Sequence, residues 1–328
     1  MSRSSLTSKR YHQSKPSHLT FFLAWMFLVC DLQADPWTEA SHHYSEKSGL
    51  RIHYAAMGQG PLVLLIHGFP DFWYTWRDQM QALSRSYRVV AMDQRGYNLS
   101  DQPEAKEAYE MSYLVKDVLG VIEAEGVTEA TLVGHDWGGA VAWQVAIQHP
   151  EVTRNLIILN LPHPNGLMRE LTTNETQRQH SAYAQTLKYG SHSDPKVFFG
   201  QAMTPRHLAG WVKESEVRDR YIEAFERSSM SGMIAYYQQN YPELPPPRAG
   251  SETLALPVTT KVQAPVLIFH GLEDQALHPS GLNQTWEWLE AEMTLMTLPG
   301  AGHFVHRDKA SVVSSTMLTW LEAHHSTQ

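Results

Sequence analysis

Three side chains in this sequence could together make and break a bond: Asp136, Asp274 and His303. Asp136 sits in Gly134-His135-Asp136-Trp137-Gly138, which fits G-x-S-x-G with Asp in place of Ser. In such an elbow the central side chain stands exposed on a sharp turn, and the flanking glycines let backbone pass closely. A serine must lose a proton before it attacks. An aspartate is already ionised near neutral pH, with an ordinary pKa of about 3.9. It is suited to displacement at a saturated carbon, which leaves an alkyl ester on the enzyme. A serine doing the same would form an ether that water does not easily cleave. Asp274 lies in His270-Gly271-Leu272-Glu273-Asp274, and His303 in Pro299-Gly300-Ala301-Gly302-His303-Phe304. They follow the nucleophile in the order acid, then histidine, that this kind of elbow requires. His303, oriented by Asp274, would activate water against the Asp136 ester. Glu273 is the weaker candidate for the orienter and His306 the poorer candidate for the base. His67-Gly68-Phe69-Pro70, with a possible cis-proline, is placed to donate the Phe69 backbone N–H to an oxyanion; the Trp137 N–H is the second donor.

These residues need rigid elements to aim them. A short apolar run, Ala130 to Val133, leads into the elbow, and a helical pattern with Val141 and Val145 four apart follows. Leu62 to Ile66 and Tyr87 to Met92 read as strands buried on both faces. Leu156 to Leu159, Val266 to His270 and Met293 to Leu298 read as further strands. Helices are expected around Trp76 to Leu83, Met111 to Glu125, Gly281 to Glu290 and Lys309 to Ala323. This alternation predicts an α/β fold with a mostly parallel sheet covered by helices. The triad candidates fall after successive strands, where such sheets bind ligands. Residues 163–250 break the alternation. They are rich in Gln, Arg, Tyr and Met, and predict a helical lid between two core segments, 35–162 and 251–328. No internal repeat is evident.

The chain has 328 residues and a net charge of −8. Residues 1–34 hold four of its Lys/Arg and one Asp, so the body carries −11. An acidic body argues against nucleic acid as the main partner. The single cysteine, Cys30, excludes an internal disulfide and a cysteine metal cluster. No sequence spacing suggests a zinc site or a phosphate loop, and the chemistry above needs no cofactor. Leu19 to Cys30 is a twelve-residue apolar run after a basic stretch, too short to span a bilayer. It fits the core of a signal peptide cleaved after Ala34, which implies export; a short membrane anchor or a cytoplasmic protein with a misassigned start are the alternatives.

Taken together, His67-Gly68-Phe69-Pro70, Asp93-Gln94-Arg95-Gly96-Tyr97, Gly134-His135-Asp136-Trp137-Gly138-Gly139, Asp274 and Gly302-His303-Phe304 resemble the epoxide hydrolase family of α/β-hydrolases. The likeness covers roughly residues 40–325. It implies the α/β-hydrolase fold with an inserted lid, and a small-molecule epoxide as substrate; the aromatic content of the chain points to an apolar one. It also implies two lid tyrosines that bind and protonate the ring oxygen. Tyr237 occupies the matching position in the second half of the lid, with Tyr236 as a neighbour open to confusion; Tyr183 best matches the first. Haloalkane dehalogenases share the elbow, but often carry Asn where this chain has Phe69. Trp76 and Trp211 read as packing residues rather than halide ligands. A non-catalytic small-molecule binder is the remaining alternative.

Overall fold

The computed structural model describes residues 35–244 and 260–325. The apolar N-terminal run and the end of the expected lid, residues 245–250, lie outside them. The frame is an eight-stranded sheet. Its strands are β1 (Ser41–Ser45), β2 (Ile52–Met57), β3 (Leu62–Ile66), β4 (Arg88–Met92), β5 (Ala130–His135), β6 (Thr153–Leu159), β7 (Val266–Gly271) and β8 (Met293–Leu298). Their order is β1-β2-β4-β3-β5-β6-β7-β8. β1 and β2 pair antiparallel, as do β2 and β4; every later pairing is parallel. β3 and β5 are buried at every position, as their unbroken apolar runs require under helices on both faces. β8 closes the sheet and has only exposed and half-buried positions.

Helix Arg77–Leu83 packs with Ala310–His325, and Met111–Ala124 packs with Trp137–Gln148. Leu114, Val118, Val121 and Ile122 form the buried face of the second pair's first helix. The expected helix over Gly281 to Glu290 is instead two single 3-10 turns, Pro279–Leu282 and Thr285–Trp288. Gln284 in the left-handed region separates them, at φ 62°, and an α-helix cannot run through that conformation. Strand β1 has no clear apolar alternation and was not legible in the sequence. Between β6 and β7 run the helices from Pro164–Thr173 to Met230–Asn240. No helix among the described residues is long and apolar enough to cross a membrane.

One close contact sets how the elbow seats on the sheet. A Cβ added to Gly138 would lie 2.1 Å from the Ile66 carbonyl oxygen and 2.5 Å from that of His67. Both are backbone atoms that cannot rotate away. At Gly139 the nearest atoms are the Leu161 Cβ at 3.2 Å and the Gly134 carbonyl oxygen at 3.3 Å, tight contacts that need a shift of only a few tenths of an ångström. Gly138→Ala is therefore expected to cost about 1–3 kcal/mol or more through overpacking. Gly139→Ala should cost less than about 1 kcal/mol, since alanine also favours the helix. Urea midpoints of the two variants check this; equal losses would contradict it.

Candidate active site

Each candidate leaves the sheet at the carboxyl end of a strand. Asp136 follows β5 with φ 50° and ψ −121°, a conformation that a β-substituted residue holds only under strain. It opens helix Trp137–Gln148, so its side chain stands at the apex of the turn. The loop after β3 approaches it closely. Gly68 makes this possible: a Cβ there would lie 2.4 Å from the Asp136 Cβ. The next residue donates its N–H, from Phe69 to Asp136 Oδ1, at 2.8 Å. The Phe69–Pro70 bond is cis.

His303 lies between two carboxylates. Its Nδ1 is 2.9 Å from Asp274 Oδ2, and its Nε2 is 3.5 Å from Asp136 Oδ2. Asp274 is buried and fully engaged. Its Oδ1 accepts the N–H groups of Ala276 at 2.7 Å and Leu277 at 3.1 Å, and its Oδ2 also accepts from Asn160 Nδ2 at 2.7 Å. Glu273 is exposed and makes no such contact. His306 turns away from Asp136 and meets Thr75 Oγ1 at 2.7 Å.

Burial works against every charge in this row, and pairing outweighs it. Burial would raise Asp274, but the His303 charge and hydrogen bond, with the Ala276 N–H, hold it well below the usual carboxylate range. Asp136 is likewise pushed up by burial and brought below its ordinary value by His303, His135 and the Phe69 N–H. For His303 burial favours the neutral ring, yet Asp274 and then Asp136 raise it to about 10. The resting arrangement is an imidazolium between two carboxylates.

The loop after β4 braces the oxyanion side. Gln94 donates its backbone N–H to His67 Nε2 at 3.1 Å and its side-chain amide to the His67 carbonyl at 2.6 Å. That leaves the His67 Nδ1–H for the Gly68 carbonyl, at 2.8 Å. Asp93 accepts the Trp73 N–H at 3.0 Å and pairs with His53 at 2.6 Å. Arg95 grips Asp117 through two bonds, of 2.6 and 2.7 Å. The Asp93-Gln94-Arg95 motif is thus a clamp on neighbouring loops, with no group aimed at Asp136.

A cavity of about 230 Å³ adjoins Asp136 and is lined by Trp137, Leu167, Met168, Tyr183, Tyr237 and Tyr241, among others. A second, of about 850 Å³, is lined by Phe69, Phe199, Trp211, His303 and Phe304, and also touches Tyr183. Tyr237 is buried, edge-on to Trp137 at 5.1 Å and to Phe69 at 5.3 Å. Tyr183 lies 6.2 Å from Tyr237, ring to ring, and stacks on Phe199 at 4.9 Å. Burial pushes both phenols well above 10, and the Asp136 charge pushes in the same direction, so both stay protonated. Tyr236 is separated from this group: its hydroxyl donates to the Arg95 carbonyl at 2.9 Å. Trp76 is fully buried, whereas Trp211 lines the larger cavity and stacks on Phe304 at 3.7 Å.

Two contributors were missed in the sequence. Asn160, at φ 45° after β6, ties Asp274 to the Gly302 carbonyl. An Asn where strand meets loop was the available signal, since Asn tolerates that conformation. Tyr241, four residues beyond Tyr237, carried no signal beyond its spacing.

The family model for the alpha/beta hydrolase fold matches residues 61–310. Human epoxide hydrolase 4 is 32% identical over 288 residues, covering 84% of this chain and 76% of that protein. Caenorhabditis elegans epoxide hydrolase 1 is 33% identical over 291 residues, covering 86% and 70%. Among solved structures, Bacillus megaterium epoxide hydrolase in complex with an inhibitor gives a TM-score of 0.72 at 31% identity, covering 86% of this chain and 100% of that one. With matches of this extent in both sequence and fold, the chain belongs to the epoxide hydrolase family of the alpha/beta hydrolase superfamily.

Proposed function

We propose that this protein converts an epoxide to a vicinal diol through an ester on Asp136. One observation carries the reading: the two Asp136 oxygens are already differentiated. Oδ1 is held by the Phe69 N–H, while Oδ2 faces His303 and is free of backbone donors. Oδ2 attacks a ring carbon and the C–O bond of the ring breaks. The oxygen leaves as an alkoxide and takes a proton from Tyr183 or Tyr237. Asp136 is then an uncharged ester, so His303 loses one of the two carboxylates that kept it protonated. The ring proton passes by way of solvent to the tyrosinate left by the first step, and His303 becomes a base for water. Water attacks the Asp136 carbonyl carbon, and the negative charge develops on Oδ1, next to the Phe69 N–H, with the Trp137 N–H as the second donor of this proposal. Collapse breaks the bond from the carbonyl carbon to Oδ2, and the departing alkoxide takes the proton of the new Asp136 carboxyl, which frees the diol and restores the carboxylate beside the reprotonated His303.

The same nucleophile serves dehalogenases, which need N–H donors for the halide. Here Tyr183 and Tyr237, both cavity-lining phenols, stand beside Asp136, with Tyr237 edge-on to Trp137 at 5.1 Å. Two hydroxyl donors favour an oxygen leaving group over a halide. We further propose that the helices between β6 and β7 act as the lid, since they contribute both tyrosines, and that residues 1–34 direct export.

Asp136→Ala should abolish turnover of styrene-type and aliphatic epoxides, and Asp136→Ser should not restore it. In His303→Gln the ester should accumulate, seen as protein plus one epoxide in intact mass spectra. A variant that stays unmodified with a substrate the wild type consumes would count against the ester. Tyr237→Phe should lower kcat by about 10²-fold or more, in the range of a lost general acid. A drop confined to KM would assign Tyr237 to binding alone. A halide assay on chloro- and bromoalkanes should give no release.

The charge argument has its own check. Removing the carboxylate at 136 should lower the His303 pKa from about 10, because one of its two stabilising charges is gone. Imidazole nitrogen NMR of Asp136→Asn across pH 5–11 reads this directly. An unchanged midpoint would mean that Asp136 does not control the base.

A further inference from the structure

Behind the loops that carry Asp136, Phe69 and His303 lies a second group of chemistry-bearing side chains. It consists of Asp71, His135 and His306, all without solvent exposure. One ligating atom from each lies within 4.8 Å of the other two. Each residue comes from a different catalytic loop. Asp71 is two residues past Phe69, His135 immediately precedes Asp136, and His306 is three past His303.

The hydrogen bonds fix which atoms are left over. His135 Nε2 meets the His303 carbonyl at 2.9 Å. A carbonyl only accepts, so the ring proton is on Nε2 and Nδ1 is a bare lone pair. Asp71 Oδ1 accepts the Phe72 N–H at 2.9 Å and the Tyr221 hydroxyl at 2.8 Å. Thr75 Oγ1 meets His306 Nε2 at 2.7 Å. In the tautomer that donates from Nε2 to this hydroxyl oxygen, His306 Nδ1 is bare as well. Asp71 Oδ2, His135 Nδ1 and His306 Nδ1 make no hydrogen bond within the protein.

Three buried lone pairs therefore share one gap. A water molecule has two hydrogens and satisfies two of them. A cation satisfies all three. We propose that Asp71, His135 and His306 bind one divalent transition-metal ion of the zinc class. The donor set is two neutral imidazoles and a carboxylate, a combination suited to such ions. Every ligand has its other polar atom fixed by an outer partner: the His303 carbonyl, Thr75, and Phe72 with Tyr221. Such outer contacts are what orient metal ligands. Two imidazole nitrogens in the donor set disfavour calcium and magnesium, which take oxygen ligands, and leave ions that bond to nitrogen. The ion would pin three catalytic loops to one point. It takes no part in the epoxide chemistry and does not depend on that assignment.

The test is a metal count on the full chain, expressed with added zinc or, separately, cobalt, so that the ion is present while the chain folds. After desalting, the wild type should retain one more equivalent per chain than Asp71→Asn and His306→Gln. Cobalt-loaded wild type should show the visible bands of low-coordinate cobalt, and the variants should not. Thr75→Val, which removes an outer partner, should weaken retention by about 10–100-fold. A wild type without bound metal overturns the proposal by itself, whether or not the variants fold. Equal retention in wild type and both variants overturns it too, because other histidines would then be the ligands.

Discussion

His303 carries its charge because it stands between two carboxylates that cannot do without it. Asp136 and Asp274 are buried, and an unpaired carboxylate there would neutralise itself by taking up a proton. The imidazolium prevents this for both. The arrangement also makes the histidine's charge conditional, since covering either carboxylate removes part of its support. On the mechanism proposed above, covering Asp136 as an ester weakens the hold of His303 on its proton. The sheet supplies the precision this needs. Asp136, Asp274 and His303 leave β5, β7 and β8, three strands in parallel register across β6. β6 contributes Asn160, which ties Asp274 to the backbone just before His303.

Much of the remaining polar core keeps these loops from drifting. The β4 loop contacts no reacting group, yet it fixes the His67 tautomer and thereby the loop whose Phe69 N–H meets Asp136. Its charged members are paired inside the protein, His53 with Asp93 and Arg95 with Asp117. Removing one partner from such a pair leaves a buried charge uncompensated, which is far costlier than losing a surface salt bridge. The strain at Asp136 is maintained by this surrounding packing rather than by any preference of its own.

The sequence was most legible where a residue type had few other reasons to be present. Glycines around an aspartate, between an apolar run and a helical period, pointed to the elbow. The buried parallel strands were equally clear, because five consecutive apolar residues have no alternative at that length. Legibility failed where local signals are degenerate. The segment from 279 to 288 mixes Pro279, Gly281 and Asn283, which favour turns, with apolar residues at helical spacing, and Gln284 in the left-handed region settles it as two turns. Asn160 reads as one more loop residue until Asp274 lies beside it. The trio of residues 71, 135 and 306 is beyond any spacing rule, since only strand order brings such distant positions together.

The two cavities differ in volume by more than threefold, and Tyr183 borders both. A molecule with a group on each ring carbon has two orientations across the carboxylate, and they are not equivalent. The narrow chamber admits the slimmer group and the wide one the bulkier. Shape, with little help from polar contacts in the narrow chamber, would then decide which carbon faces Oδ2, and with it the handedness of the diol.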